Sequence, residues 1–190
     1  MIKTKFNRAV LWDYLNLVMR VWLAFTLLRY GWSKLTGGQF GVTEATMHQP
    51  LEKIDLMRLS WFLADHEPFR SFIGISQLIT AGLLVYNRTA IIGAFMSIPI
   101  WLNILIWDMS FMGLYTPFTI SISYYLVMTF LIILHDRSKV LFALRTLLKD
   151  TSARFKFPVW AYLLLIPVGL ILELMGRIPQ VLNYMWHMLK

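Results

Sequence analysis

The side chains that could do chemistry are few, and most of them fall inside or beside apolar stretches: Arg20, Arg29, Lys34, Gln77, Asn103, Asp108 and Glu173. An ionisable group at membrane depth is costly and is read as functional by default. Arg29 and Lys34 share the run Arg29-Tyr30-Gly31-Trp32-Ser33-Lys34. Either cation would polarise a ligand oxygen, Gln77 and Asn103 would hydrogen-bond it, and Trp61 would close the pocket beside Asp108, in an apolar setting where a few polar contacts orient a ligand. The candidate ligand-binding set is therefore Arg29, Lys34, Trp61, Gln77, Asn103 and Asp108. A quinone or a lipid is the ligand class such contacts suit.

Other charged positions have plainer accounts. Arg20 lies about 7.5 Å beyond Leu15 at 1.5 Å per residue, within reach of a snorkelling side chain. Glu173 and Arg177 are spaced i,i+4 and neutralise each other locally. The sequence Asp65-His66-Glu67 offers an acid and a base, but such a turn is more often simply solvated. His48, His66, His135 and His187 are far apart and lack zinc or haem ligand spacing, so no metal is expected. No cysteine is present, which excludes disulfides, thiol redox chemistry and thiolate metal sites. Neither phosphate-binding glycine motif occurs, so Gly37-Gly38 reads as a turn. No catalytic residue is assigned.

The elements that must position these groups are membrane helices. Of the 190 residues 58% are hydrophobic and only 15% are charged, against about 25% charged in a soluble domain. A span needs roughly 20 apolar residues to cross about 30 Å of hydrocarbon. Five segments qualify: Tyr14 to Ser33, Phe72 to Tyr86, Thr89 to Trp107, Leu114 to Leu134 and Pro158 to Met175. Gly74, Ser76, Gly82, Gly93, Ala94 and Ser97 would let the second and third spans approach closely, and Pro99 and Pro167 are expected to kink their helices. The first loop, 34–71, is too long for a simple connection; from Pro50, Leu51, Ile54, Met57 or Arg58, and Trp61 recur at helical spacing and predict a short helix over the outer end of the bundle.

Charge sets the expected topology. Three Lys or Arg residues precede the first span, one sits in the Asn87-Arg88 turn and six lie between His135 and Phe157, against four in the first loop and two after the fifth span. The positive-inside rule places the N-terminus in the cytoplasm and the C-terminus outside. The N-terminal stretch resembles a signal peptide, but Asp13, Asn16 and Arg20 interrupt it, so it is read as uncleaved. Between Val140 and Lys156, Leu141, Leu144, Leu147 and Leu148 share one helical face with Arg145 and Lys149 beyond it; this reads as a topology anchor or as an interfacial helix on an anionic leaflet. A net charge of +8 with scattered basic residues and no binding signature does not point to nucleic acid.

Arg20, the run Arg29-Tyr30-Gly31-x-Ser33-Lys34-Leu35 with Gln39-Phe40, then Phe72-Ile73-Gly74-Ile75-Ser76-Gln77 and Asn87-Arg88-Thr89 together resemble the DoxX-like membrane proteins over about Tyr14 to Leu134. The resemblance implies an all-α, polytopic four-helix bundle in a bacterial cytoplasmic (inner) membrane, with the fifth hydrophobic helix an addition. The implied organisation is a core at 1–135, a basic amphipathic connector at 136–157 and a fifth helix with tail at 158–190. Some relatives in the wider group are associated with quinone-linked sulfur oxidation and others with complexes handling oxidative stress. Many carry an acidic residue where Gln77 stands here, and relatives of the disulfide-linked quinone reductase kind need cysteine pairs that this chain lacks.

Three functions follow as expectations. The leading one is a noncatalytic accessory or structural subunit of a larger membrane complex, contacting lipids and other membrane protein subunits, with no required cofactor. The alternative is a quinone- or lipid-binding subunit of an oxidoreductase with an extracytoplasmic pocket. A small transporter is third, since the two halves of the bundle share no convincing repeat motif.

Overall fold

A computed structural model describes residues 7–40, 43–149 and 156–188. The described residues contain helices and no strand. Three helices are long and apolar enough to cross a membrane, and up to five spans result if each of two bent helix pairs is counted as one. This is the architecture of an integral membrane protein.

The chain divides into a unit at 1–146 and a second at 147–190. In the first, helices α1 (Arg8–Leu35), α4 (Phe69–Val85), α5 (Ala90–Phe111) and α6 (Pro117–His135) pack in a ring, with α1 on α4, α4 on α5, α5 on α6 and α6 back on α1. Leu23, Leu27, Leu84, Trp101, Ile122 and Ile132 fill the centre and are essentially inaccessible. The outward faces remain apolar, as lipid-facing surfaces must be: Trp22, Phe25, Phe72, Ile79, Ile106 and Phe130 are all more than half exposed. Between α1 and α4 the chain forms a short helix α2 (Glu44–Met47), one 3-10 turn at Leu51–Lys53, and α3 (Leu56–Ala64).

Local chemistry sets the ends. Gly37, at φ 74°, turns the chain out of α1, and the Gly38 N–H donates back to the Ser33 carbonyl at 2.8 Å. Thr116 and Thr119 form a reciprocal capping box that starts α6, with Pro117 in the first turn. At 17 residues α4 is about 26 Å long by the usual helical rise, short of a full crossing. It joins α3 through an 84° bend.

Three expectations need correction. Arg20 does not snorkel outward: it is 8% exposed and turned into the bundle, where Nε donates to the Leu84 carbonyl at 2.9 Å and Nη2 to the Val85 carbonyl at 3.0 Å and to Asn87 Oδ1 at 2.9 Å. These are carbonyls at the end of α4 that no further helical turn satisfies. The helix expected from Pro50 instead begins at Leu56, because Ile54 is extended and Asp55 starts a new helix after the 3-10 turn. Helix α5 continues through Pro99, and of the two expected kinks only that at Pro167 needs correction. Pro167 lies in the first turn of its helix, where a proline removes no bonded N–H, and the 40° bend there falls after Pro179.

At the end of α6, Asp136 alone separates it from α7 (Arg137–Leu148). Residues 150–155 of the expected connector lie outside the described residues. The second unit contains α8 (Val159–Leu163) and α9 (Leu165–Met188). Its side chains are largely exposed, and Arg177 pairs with Glu173 as their spacing requires.

Candidate functional site

A cavity of about 300 Å3 opens at the end of the first unit where α1 and α5 finish and α4 and α6 begin. Its polar groups are Lys34 from the last turn of α1, Gln39 from the turn that follows, and Asn103 and Asp108 from the second half of α5. Its walls are aromatic, with Tyr30, Phe40, Trp61, Phe69, Trp107 and Phe118. Tyr30 stacks on Phe118 at 6.0 Å between centroids, and Phe69 on Trp107 at 6.5 Å. Helix α3 supplies Met57, Trp61 and Ala64, and the Trp107 indole N–H donates to Ser60 Oγ at 3.2 Å, tying α3 to α5.

Two buried opposite charges border this space. Lys34 is 4% exposed; its Nζ donates to Gln39 Oε1 at 2.8 Å and stands 5.4 Å from the Tyr30 ring centroid and 5.2 Å from that of Phe40. One acceptor and two π-faces hold an ammonium that has three N–H donors. Asp108 is 3% exposed, and its Oδ2 has no hydrogen-bond partner among the described residues. Both line the same cavity. Among the described ion pairs, however, none joins them. A cation and an anion at the rim of an aromatic cavity, both under-satisfied, are equipped to meet a ligand that brings an acceptor to Lys34 and a donor to Asp108.

Four of the six residues singled out from sequence, Lys34, Trp61, Asn103 and Asp108, line this cavity together. The other two do not. Arg29 does not line it and is exposed, its guanidinium carbon 5.8 Å from the Tyr30 ring centroid. Adjacent helical residues diverge by about 100°, so Arg29 cannot follow Tyr30 inward. Gln77 is fully buried one turn deeper than Ile73, beside Gly31, and neither of its side-chain polar atoms has a partner among the described residues. Sequence reading missed Tyr30, Gln39 and Phe40 as site residues. The signal was present in Gly37-Gly38: a turn that tight returns the next two residues onto the last turn of α1.

The charged turn is occupied structurally. Arg70 Nη1 lies 3.1 Å from Asp65 Oδ1 and Nη2 2.9 Å from Glu67 Oε1, and His66 Nδ1 lies 3.0 Å from the Phe62 carbonyl. Hydrogen bonding from the Ser71 side chain, with Arg70 and the Ser71 N–H, holds the Glu67 carboxyl below its ordinary range. Among the described residues no group of three metal-ligating side chains converges.

Comparison with known proteins adds one relative. No family model matches the chain, and no solved structure matches it. Over 87 residues it is 33% identical to the uncharacterized protein YwoB of Bacillus subtilis strain 168, a stretch covering 46% of this chain and 56% of that protein. The chain thus spans little more than half the length of this curated relative.

Proposed function

We propose that this membrane protein is a DoxX-like bundle that holds a small amphiphilic molecule of the quinone or lipid class in the cavity at the end of α1, serving as a noncatalytic binding subunit of a larger membrane assembly. The observation that carries this reading is the pair Lys34 and Asp108, buried across an aromatic cavity and not bonded to each other. Burying charge without a full set of partners is destabilising, and a subunit whose work is packing alone gains nothing from it. A ring carrying oxygens would fit between the aromatic walls, with an acceptor on Lys34 and a hydroxyl donating to Asp108.

The positive-inside distribution supports a cytoplasmic N-terminus, which would put the cavity on the extracytoplasmic side of a bacterial inner membrane. Partner subunits would meet the outer faces of the bundle or the second unit.

Mass spectrometry of small molecules retained after gentle-detergent purification from native membranes tests the reading. One species should be enriched over bulk lipid in the natural protein and lost from Lys34→Met and Asp108→Asn variants that keep their helicity. Bulk lipid alone in the natural protein, or equal retention in both variants, would overturn it.

A further inference from the structure

Helix α7 leaves the bundle where α6, a membrane-crossing helix, ends, with only Asp136 between them. It therefore begins at a membrane boundary. It contains no acidic residue and carries Arg137, Lys139 and Arg145, with Lys149 in the turn that follows. At about 100° per residue, Val140, Leu141, Leu144 and Leu147 fall within an arc of roughly 120°, with Lys139, Arg145 and Lys149 on the opposite side. Phe142 departs from this division and stands among the cations, and Arg137, the first residue of the helix, falls within the leucine arc.

No residue of α7 is buried. Leu141 is 49% exposed, Leu144 46% and Leu147 73%. Within the first unit this face is left uncovered. The cations are equally unmatched: of the described ion pairs only that of Lys139 with Asp136, at 2.6 Å, involves this helix. Arg137 and Arg145 have no acidic partner among the described residues.

We propose that α7 lies in the headgroup plane of the membrane and is a binding surface for anionic phospholipid, its leucine face against the acyl chains, Arg145 and Lys149 on lipid phosphates, and Arg137 snorkelling to them from the first turn. Three features select lipid over a protein groove. The helix starts at the boundary of a span, its charge is of one sign without internal neutralisation, and its apolar arc is narrow and made of leucine and valine, as an interfacial helix requires. Phe142 fits the same plane, where aromatic rings tolerate mixed surroundings.

The cysteine-free chain permits a direct test on the full-length protein. Single cysteines replace Leu144 or Thr146, on opposite sides of α7, and carry a nitroxide label after reconstitution into equimolar phosphatidylcholine and phosphatidylglycerol vesicles. The label at Leu144 should collide more with oxygen than with a water-soluble nickel chelate, and the label at Thr146 the reverse. If Leu144→Cys protein does not fold, Leu141→Cys serves in its place. Equal aqueous access at both sites would overturn the proposal by putting the helix in water. Shielding of the leucine-face label from both colliders would overturn it in favour of a protein partner. A second arm removes the charges together, Arg137→Gln, Arg145→Gln and Lys149→Gln. Phosphatidylglycerol enrichment around the protein should fall by roughly fivefold or more, the ratio that the surface attraction of one such cation alone provides. Unchanged enrichment would overturn the headgroup contact.

Discussion

Gly31 of α1 and Gly74 of α4 lie against each other so closely that a methyl group added at Gly31 would stand 2.7 Å from the Gly74 carbonyl oxygen. An added methyl at Gly74 would meet Leu35 at the same distance. Together with the Arg20 bonds to Leu84 and Val85, this contact fixes α1 and α4 antiparallel along most of their length. Gly31→Ala should therefore lower stability by about 1–3 kcal/mol, the usual cost of overpacking. Gly82→Ala, where an added methyl meets nothing within 4 Å, should leave stability unchanged or raise it. Unfolding in mild detergent, followed by far-UV circular dichroism, compares the two; equal effects would mean that the close approach does not exist.

Arg20 satisfies α4 carbonyls that otherwise have no donor, so Arg20→Leu should cost about 1–3 kcal/mol for each carbonyl left dry. Asn87→Ala removes only the side-chain acceptor and should cost less. The same unfolding assay ranks them, and an Asn87 variant that is worse than the Arg20 variant would contradict the geometry.

Lys34 and Asp108 should behave as a coupled pair. Removing either leaves a buried charge unmatched, so Lys34→Met and Asp108→Leu should each destabilise more than simple additivity with the double variant allows. An interaction term of about 0.5–3 kcal/mol is expected for coupled neighbours. A double-mutant cycle measures it, and additive losses would show that the two charges do not sense each other.

The sequence carried the membrane class and the four packed helices well, because apolar length and loop charge are written locally along the chain. It also brought out Lys34, Trp61, Asn103 and Asp108, whose chemistry is unusual for their surroundings. What it could not carry was direction around a helix axis. Arg29 and Tyr30 are neighbours in sequence, yet only the second faces the cavity. Arg20 was misread for a related reason: distance from a membrane boundary says nothing of whether a helix end lies alongside with open carbonyls. The 3-10 turn before α3 escaped because Leu51, Ile54 and Met57 keep helical spacing across a break that one extended residue creates.

Among the described hydrogen bonds, the one from Trp107 to Ser60 ties α3 over the cavity to α5. Ser60→Ala should loosen α3 by about 0.5–1.5 kcal/mol, the net value of such a bond. Amide exchange across 56–64 should quicken while that of α5 stays unchanged. Uniform exchange in both proteins would mean that other contacts hold α3.

The turn between α3 and α4 should respond to acid. Because the folded structure depresses the Glu67 carboxyl, the stability it adds is complete above the ordinary glutamate value of about 4.5 and is lost as pH falls through the lower folded value. Proteolysis at 65–68 should therefore quicken below that value and not between neutrality and pH 5. The Glu67→Gln variant should show no such acid step.

The bonds from Arg20 bear on biogenesis. Its acceptors lie more than 60 positions later in the chain, so α1 leaves the ribosome with a cation in an apolar helix and nothing to receive it. Only when α4 and the Asn87 turn have been made does that partner exist. Until then the first helix has reason to stay beside the protein-lined, hydrated insertion channel rather than enter lipid alone, and the helices would be released to the bilayer as a joined pair. A crosslinking probe in α1 of arrested chains should contact the channel until residue 87 has emerged, and an Arg20→Leu chain should leave it sooner.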